Sequence, residues 1–373
     1  MTPFPRDLYA PLVPYAPDRR PVEVDLSDNT NRWGTHPGAL AAVRTADPEE
    51  LLRYPPVYAD RLRAAVAARF GVPLEAVATG CGSDDLLDSA FRAAADPGES
   101  IRFIPPTFSM IEIFATMNGL VPRPLDRAAP RSPSAPFGPL PDPGLLLDTE
   151  EGTPAIVYLC RPNNPTGEVL PRPWIETLLD QAGPTGPVVL LDEAYADFME
   201  PDEGPDDLLR LAATSDRLVV LRTLSKAFGL AGLRVGFAVG APEVIREIEK
   251  SRGPYKVNRL AEAAAVLALD DREGWIPETL AAARAERTHL ARALVERGLA
   301  PLPSGANFLL VPTEGIGAGD AASVTAKLRE AGVAVRPFPS LPGFGDAVRV
   351  TLGPRHETDR FLAALDTLLT PTT

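Results

Sequence analysis

The sequence has few of the residues that build disulfide frameworks or metal centres. Only two of its 373 residues are cysteines and three are histidines. Two cysteines, Cys81 and Cys160, are too few for a disulfide framework or a thiolate metal site. The histidines, at positions 36, 289 and 356, have neither the spacing of metal ligands nor that of a catalytic triad. We therefore expect a protein of a reducing compartment with no metal.

Positive charge and long apolar runs are also scarce. The chain has 37 lysines and arginines against 50 aspartates and glutamates, which gives a formal net charge of −13 at pH 7. Because nucleic-acid binding requires a basic surface, the sequence predicts no such partner. No apolar run approaches the roughly 18 residues of a membrane span, and the N-terminal segment lacks a basic stretch followed by an apolar one. The sequence predicts a cytoplasmic protein without a membrane partner.

The sequence does contain an alternation of short apolar runs with helical patterns. A helical pattern over residues 59–70 stops at Gly71, and a second helix opens at Ser83. Runs rich in β-branched residues are predicted as strands at 101–105, 155–159, 187–192, 217–222 and 234–239. Such alternation is typical of βαβ units, so it predicts an α/β large domain with a mostly parallel central sheet between helices.

The pattern changes after about residue 255. Long alanine-rich helical segments precede predicted strands near 307–311, 333–337 and 347–351 and a final helix at 357–369. These features predict a smaller α+β C-terminal domain. The predicted units are an N-terminal arm (1–40) that contributes to the small domain and to dimer contacts, a large domain (41–254) and a small domain (255–373). The proline-rich segment 121–143 is predicted as a loop or a cover over the large domain.

The strongest local signal is TLSKAFGLAGLR, residues 223–234. It places Lys226 in nearly uncharged, apolar surroundings, whereas most lysines lie solvated at the surface. A lysine removed from water has a lowered pKa, and the neutral amine is the form that Schiff-base chemistry needs. The segment therefore indicates a nucleophilic amine.

Two further motifs follow predicted strands. Asp192 ends the apolar run VVLLD, where open α/β sheets bind ligands, although it could instead cap the next helix. A carboxylate there would keep a pyridine nitrogen protonated, and Tyr195 would reach a ring hydroxyl. RPNNPTG, residues 161–167, has turn-forming residues, and its asparagines are candidate donors to a phenolate oxygen.

A phosphate-binding turn is predicted at TGCGSDD, residues 79–85. The turn leads into a helix but has neither the dinucleotide fingerprint nor a P-loop lysine. Free N–H groups and the dipole of a helix N-terminus favour an anion, and Ser225 and Arg234 would complete a phosphate cup.

Together these motifs resemble the aminotransferase class I/II superfamily, and within it the histidinol-phosphate aminotransferase branch. The resemblance covers nearly the whole chain and is carried by LSDNTNRWGTHP (26–37), RYP (53–55), GCGSDD (80–85), PPTFSM (105–110), RPNNPTG, LDEAY (191–195), TLSKAFGLAGLRVGF (223–237), GANFLLV (305–311) and VRVTLG (348–353). It implies a fold-type I transferase that uses pyridoxal 5'-phosphate. The implied reaction moves an amino group between an amino acid or amino phosphate and a 2-oxo acid by a ping-pong mechanism.

The resemblance also implies roles for individual residues. Lys226 carries the cofactor as a Schiff base, and Asp192 pairs with the pyridine nitrogen. Asn164 and Tyr195 hydrogen-bond the ring hydroxyl, and Phe108 stacks on the ring. The implied phosphate contacts are Gly82, Ser83, Ser225, Arg234 and, from a partner subunit, Tyr54, and Asp84 and Thr223 are further implied cofactor-binding residues. The implied substrate contacts are Asn29, Arg336 and Arg349. A tyrosine supplied across the interface implies a homodimer.

The chain departs from that branch near the expected substrate mouth. It has NTNRWGTHP where the branch has a sequence close to NENPxGPSP, so Thr30, Arg32 and Trp33 differ. Lys256 adds a cation after Pro254-Tyr255, where it is either a substrate sensor or a solvated side chain. These differences leave the amino donor and acceptor open. A threonine-phosphate decarboxylase type of reaction and a broad aromatic amino acid aminotransferase are the alternatives, beside a ligand-sensing protein without turnover.

Overall fold

The computed structural model describes residues 4–14, 16, 18–127, 135–317 and 319–369. Its strands are β1 (Val24–Asp25), β2 (Val77–Gly80), β3 (Ser100–Phe103), β4 (Val121–Pro124), β5 (Ile156–Cys160), β6 (Val188–Asp192), β7 (Leu218–Thr223), β8 (Gly236–Val239), β9 (Phe308–Pro312), β10 (Val333–Ala334), β11 (Arg336–Leu341) and β12 (Gly345–Thr351).

The α-helices lie between and after these strands. They are α1 (Pro37–Arg44), α2 (Glu49–Leu52), α3 (Asp60–Phe70), α4 (Ser83–Ala94), α5 (Met110–Met117), α6 (Arg172–Ala182), α7 (Asp207–Ala212), α8 (Pro242–Ser251), α9 (Arg259–Asp270), α10 (Trp275–Glu296), α11 (Ala321–Glu330) and α12 (Arg355–Leu369). Within the described ranges, no helix is both long and apolar enough to cross a membrane.

The central sheet has seven strands in the order β2-β8-β7-β6-β5-β3-β4. β8 is antiparallel to both of its neighbours, and the remaining pairs are parallel. One face of the sheet packs against buried residues of α3, α6, α7 and α9, and the other face against α4, α5 and α8. Because helices cover both faces, β5, β6 and β7 read as nearly continuous apolar runs. The predicted α/β fold with a mostly parallel sheet between helices is confirmed.

The predicted strands of this sheet agree with the observed ones to within two residues. The prediction for the proline-rich segment 121–143 was incomplete, because its first residues form β4 at the edge of the sheet, parallel to β3. Pro122 and Pro124 are compatible with that position, since an edge strand leaves one side of its backbone unpaired. Residues 128–134 of the segment lie outside the described residues.

The C-terminal part forms a second layer with its own core. β11, β12 and β9 make an antiparallel sheet, and residues of α10, α11 and α12 pack in the same apolar cluster. The N-terminal arm joins this layer, since β1 pairs in parallel with β10. α9, by contrast, buries its alanines in the cluster on the large sheet, packed against α1 and α3. The domain boundary at residue 255 stays a prediction.

Candidate active site

A cavity of about 460 Å³ lies where the arm, the central sheet and the C-terminal layer meet. β5, β6 and β7 end at this cavity, as expected for ligand sites of open α/β sheets. The structure brings most of the predicted site residues to its wall: Asn29, Ser83, Asp84, Phe108, Asn164, Asp192, Tyr195, Thr223, Ser225, Lys226, Arg234, Arg336 and Arg349.

Lys226 lies in the turn that follows β7. Its Nζ donates a hydrogen bond to the carbonyl of Asp28 in the arm, at 3.2 Å. Gly229, three residues on, has a φ of +67°, and a Cβ there would stand 2.2 Å from the carbonyl oxygen of Gly34. The arm therefore packs directly on the lysine turn. Burial and then the charge of Arg349 lower the pKa of Lys226 to about 8, which favours the neutral amine.

Asp192 is the last residue of β6 and is only 7% exposed. Its two carboxylate oxygens each accept a hydrogen bond at 3.0 Å, one from the backbone N–H of Ala194 and the other from the hydroxyl of Tyr158. Burial raises the pKa of Asp192 to about 6, while these two donors act in the opposite direction. The carboxylate is therefore held in a fixed plane and is anionic at neutral pH.

Tyr195 and Asn29 form a buried polar contact across 166 residues of sequence. The Asn29 amide donates to the Tyr195 hydroxyl at 3.0 Å, and its oxygen accepts from Thr351 at 3.0 Å. Burial raises the pKa of Tyr195 to about 12, so that the group stays a phenol. Asn29, predicted as a substrate contact, lines the cavity but directs its amide to Tyr195.

Two arginines on paired strands face the cavity. Arg336 on β11 lies opposite Arg349 on β12. The Arg349 guanidinium donates to Oδ1 of Asn164 at 2.5 Å and to the carbonyl of Ser27 at 3.0 Å. Its position ties the loop after β5, the arm and the C-terminal sheet together at the cavity. The pair supplies positive charge suited to an anionic substrate group.

The start of α4 and the turn after β7 form a polar cradle. Gly82 precedes α4, and a Cβ there would stand 2.6 Å from Nη2 of Arg234. Arg234 donates to the Ser225 hydroxyl at 3.3 Å, and that hydroxyl lies 2.9 Å from the hydroxyl of Thr223. A phosphate site needs hydrogen-bond donors and positive charge. The cradle offers both, in the N–H groups at the helix start, two hydroxyls and a guanidinium. The residues present therefore fit a phosphorylated cofactor.

Several predicted residues lie elsewhere or have other partners. Tyr54 is outside the cavity wall, 78% exposed, with its ring stacked on that of Tyr255 at 4.9 Å. Lys256 is not part of the cavity wall, and its Nζ donates a hydrogen bond to Asp85 at 2.7 Å. Arg32 forms an ion pair with Glu357 at the start of α12. Trp33 packs against both large apolar clusters.

Two contributors to the site were missed from the sequence. Tyr158 lies within the apolar run of β5, where alternation gives no sign that its hydroxyl reaches a carboxylate. Asp28 contributes a backbone carbonyl to Lys226, and no sequence pattern specifies such a contact.

The fold and the site define a class of protein. The mostly parallel sheet has a desolvated lysine, a buried carboxylate and a phosphate cradle at its strand ends. This arrangement is characteristic of the fold-type I pyridoxal-phosphate enzymes. The chain belongs to the aminotransferase class I and II family, whose model matches residues 21–365.

Individual relatives agree with this assignment. The chain is 37% identical to a histidinol-phosphate aminotransferase from Roseiflexus castenholzii, over 96% of this chain and 94% of the relative. It is also 37% identical to an aromatic amino acid aminotransferase from Nocardia farcinica, over 93% and 92% of the two chains. The crystal structure of the histidinol-phosphate aminotransferase from Sinorhizobium meliloti, in complex with pyridoxal-5'-phosphate, superposes with a TM-score of 0.79 at 25% identity, over 94% and 92% of the chains. The protein is a transaminase that uses pyridoxal 5'-phosphate.

Proposed function

We propose that the enzyme transfers the amino group of histidinol phosphate to a 2-oxo acid, in a site where Lys226 is the nucleophilic amine. The observation that carries this proposal is the placing of Arg336 and Arg349 opposite each other on one wall of the cavity that contains Lys226. Paired guanidinium groups suit a phosphate or carboxylate at the far end of a substrate. The similarity to histidinol-phosphate aminotransferases over nearly the full length supports the same substrate.

We assign each wall of the cavity a part in holding the cofactor. The start of α4 at Gly82 and Ser83, together with Ser225 and Arg234, would hold the phosphate, and Asp84 and Thr223 line the same cavity. Asp192 would pair with the ring nitrogen, Asn164 and Tyr195 would hydrogen-bond the ring hydroxyl, and Phe108 would stack on the ring. Pyridoxal phosphate, when bound, supplies an electron sink for the charge that develops at the substrate's α-carbon.

Two side chains of the site, Asp192 and Lys226, control the protons of the reaction. Asp192 is anionic at neutral pH and would favour a proton on the cofactor's ring nitrogen. The Lys226 amine would act as the base that removes the substrate's α-proton and as the acid that returns it. Arg349, with Asn29 on the arm and Arg336, orients the anionic groups of donor and acceptor in turn. Because both half-reactions use one site, the kinetics are ping-pong.

Substrate identity is tested by following the absorbance of the purified holoenzyme during single additions of candidate donors. Histidinol phosphate is expected to discharge the visible cofactor band completely and to do so at lower concentration than glutamate or phenylalanine. If phenylalanine or tyrosine discharges the band at a concentration tenfold lower than histidinol phosphate does, an aromatic amino acid aminotransferase is favoured instead. That second function is supported by the Nocardia farcinica relative and by the rings of Phe108 and Phe338 on the cavity wall. Release of carbon dioxide from a threonine phosphate would identify the decarboxylase alternative.

We propose further that the working unit is a homodimer, with Tyr54 completing the phosphate site of the partner. Tyr54 is mostly exposed beside Leu51 and Leu52, which are 72% and 76% exposed. Exposed large apolar side chains that are close together in sequence suit a protein interface. The free thiols of Cys81 and Cys160 suit the reducing cytoplasm, where we place the enzyme.

Tyr54→Phe is expected to weaken cofactor binding about tenfold, because one charge-assisted hydrogen bond to a phosphate is lost. Tyr9→Phe, a change at another partly exposed tyrosine, is the matched control and should bind as the wild type does. Mixing Tyr54→Phe chains with inactive Lys226→Ala chains tests the arrangement, since a mixed dimer has one site with both native residues. Recovery of wild-type cofactor affinity in that site is expected. Persistent weak binding, or a monomer by light scattering, would contradict the shared site.

A further inference from the structure

A buried tyrosine that neither the sequence motifs nor the proposed function uses lies beside Asp192. Tyr158 is 1% exposed, and its hydroxyl donates to Oδ2 of Asp192 at 3.0 Å. The other carboxylate oxygen accepts from the backbone N–H of Ala194. The carboxylate plane is therefore fixed from two elements, the turn after β6 and the neighbouring strand β5.

The sheet register explains how Tyr158 reaches this carboxylate. Cys160 on β5 lies directly opposite Asp192 on β6, and Tyr158 comes two residues before Cys160. Residues two apart on a strand share a face, so both β5 side chains and Asp192 lie on the same side of the sheet. The Cys160 thiol donates to the carbonyl of Pro162 at 3.3 Å. Tyr158 is thus the β5 side chain whose proton is directed to Asp192.

The electrostatics of this pair give the contact a chemical consequence. Burial, followed by the negative charge of Asp192, raises the pKa of Tyr158 well above its usual range, so the phenol remains a donor. Burial also raises the pKa of Asp192, and the Tyr158 hydrogen bond opposes that rise. A hydrogen bond to the charged form of a carboxylate favours that form. Without the hydroxyl, more of the carboxyl population is neutral at pH 7.

We propose that Tyr158 is a positioning residue for transamination, which orients the Asp192 carboxylate and keeps it ionised for the cofactor's ring nitrogen. The inference rests on the proposed role of Asp192. Tyr158 on β5 would thus affect the reaction only through its hydrogen bond to Oδ2 of Asp192.

The test is Tyr158→Phe, which removes the hydroxyl and retains the ring in the core. The expected result is a fall in kcat of about tenfold, with the KM of the amino donor within about twofold, since a hydrogen bond to a buried charge is lost away from the substrate contacts. The cofactor dissociation constant, measured by absorbance without turnover, should rise by a similar factor. The pH below which the apoprotein loses affinity for the cofactor should move to a higher value. Ile156→Val, a buried change on the same strand and face, is the control for packing and should leave these three values within twofold.

A double-mutant cycle separates positioning from packing. In an Asp192→Asn background the neutral amide has no charge to maintain, so adding Tyr158→Phe should change kcat and cofactor affinity by less than about twofold. A tenfold loss that persists in this background, or wild-type behaviour of Tyr158→Phe alone, would overturn the inference and leave the role of Asp192 intact. Wild-type behaviour of Asp192→Asn itself would overturn the role of Asp192 and the inference together.

Discussion

Replacing Lys226 with alanine is expected to lower the transamination rate by about 10⁴-fold or more, the largest effect of any single change. The amine is both the covalent anchor and the base at the α-carbon, and a positioned base alone is worth roughly 10²–10⁴-fold. The measurement is the steady-state rate with histidinol phosphate and a 2-oxo acid. Lys250→Ala is the matched control, because that lysine is exposed and pairs with Glu247 on α8.

The thermal stability of Lys226→Ala shows whether its loss of activity comes from a missing catalytic amine or from unfolding. The folded-state pKa of Lys226 is lowered to about 8, from an ordinary value of 10.5, so its charged form is disfavoured in the folded apoprotein. This penalty is present in full below pH 8 and disappears as the pH rises towards 10.5. The Lys226→Ala apoprotein is therefore expected to unfold at the same temperature as wild-type apoprotein or higher at pH 7. A clear decrease in unfolding temperature would mean that the lysine has a structural role.

The second largest effect is expected for Asp192→Asn, with kcat lowered by about 10²–10⁴-fold. Removing one partner of a buried charge pair costs about 3–5 kcal/mol, and every 1.4 kcal/mol is tenfold in rate. The side chain keeps its size, and the Ala194 N–H still has an oxygen to bind. The loss should therefore appear in kcat far more than in the KM of the donor. Equal losses from Asp192→Asn and Asp192→Glu would argue for shape rather than charge.

The pH dependence of the wild-type enzyme follows from the same carboxylate. In the cofactor-free protein its pKa is raised to about 6, so the anion is lost as the pH falls through that value. Binding of pyridoxal phosphate to the apoprotein is expected to weaken below about pH 6, and Asp192→Asn is expected to lose that pH dependence. A profile that stays level from pH 8 to pH 5 would contradict the assignment of Asp192.

Most of the site could be predicted from sequence because its residues lie in short local motifs at strand ends. Lys226 follows β7, Asp192 ends β6 and Asn164 follows β5, and parallel neighbours in one sheet bring these ends together. What sequence patterns could not provide were contacts between distant segments. The Asn29 amide reaches Tyr195 across 166 residues, and Lys256 reaches Asp85 across 171.

The roles of polar residues in apolar surroundings were harder to predict from the sequence. Tyr158 occupies a strand position that is as buried as its valine and leucine neighbours, so periodicity classes it as core. Its hydroxyl has a function only because Asp192 is the next strand's last residue. The edge strand β4 was missed for a related reason, since two of its four residues are prolines and composition favours a loop.

The lysine that carries the cofactor can be identified by chemical trapping. Holoenzyme is treated with borohydride, which fixes a lysine-bound pyridoxal phosphate as a stable secondary amine, and is then digested with trypsin for mass spectrometry. Modified Lys226 resists cleavage, so the label is expected on an intact peptide spanning residues 223–234. The chain's other lysines, Lys250, Lys256 and Lys327, should yield unmodified peptides. Label on any of these three, with normal cleavage after Lys226, would show that Lys226 does not carry the cofactor.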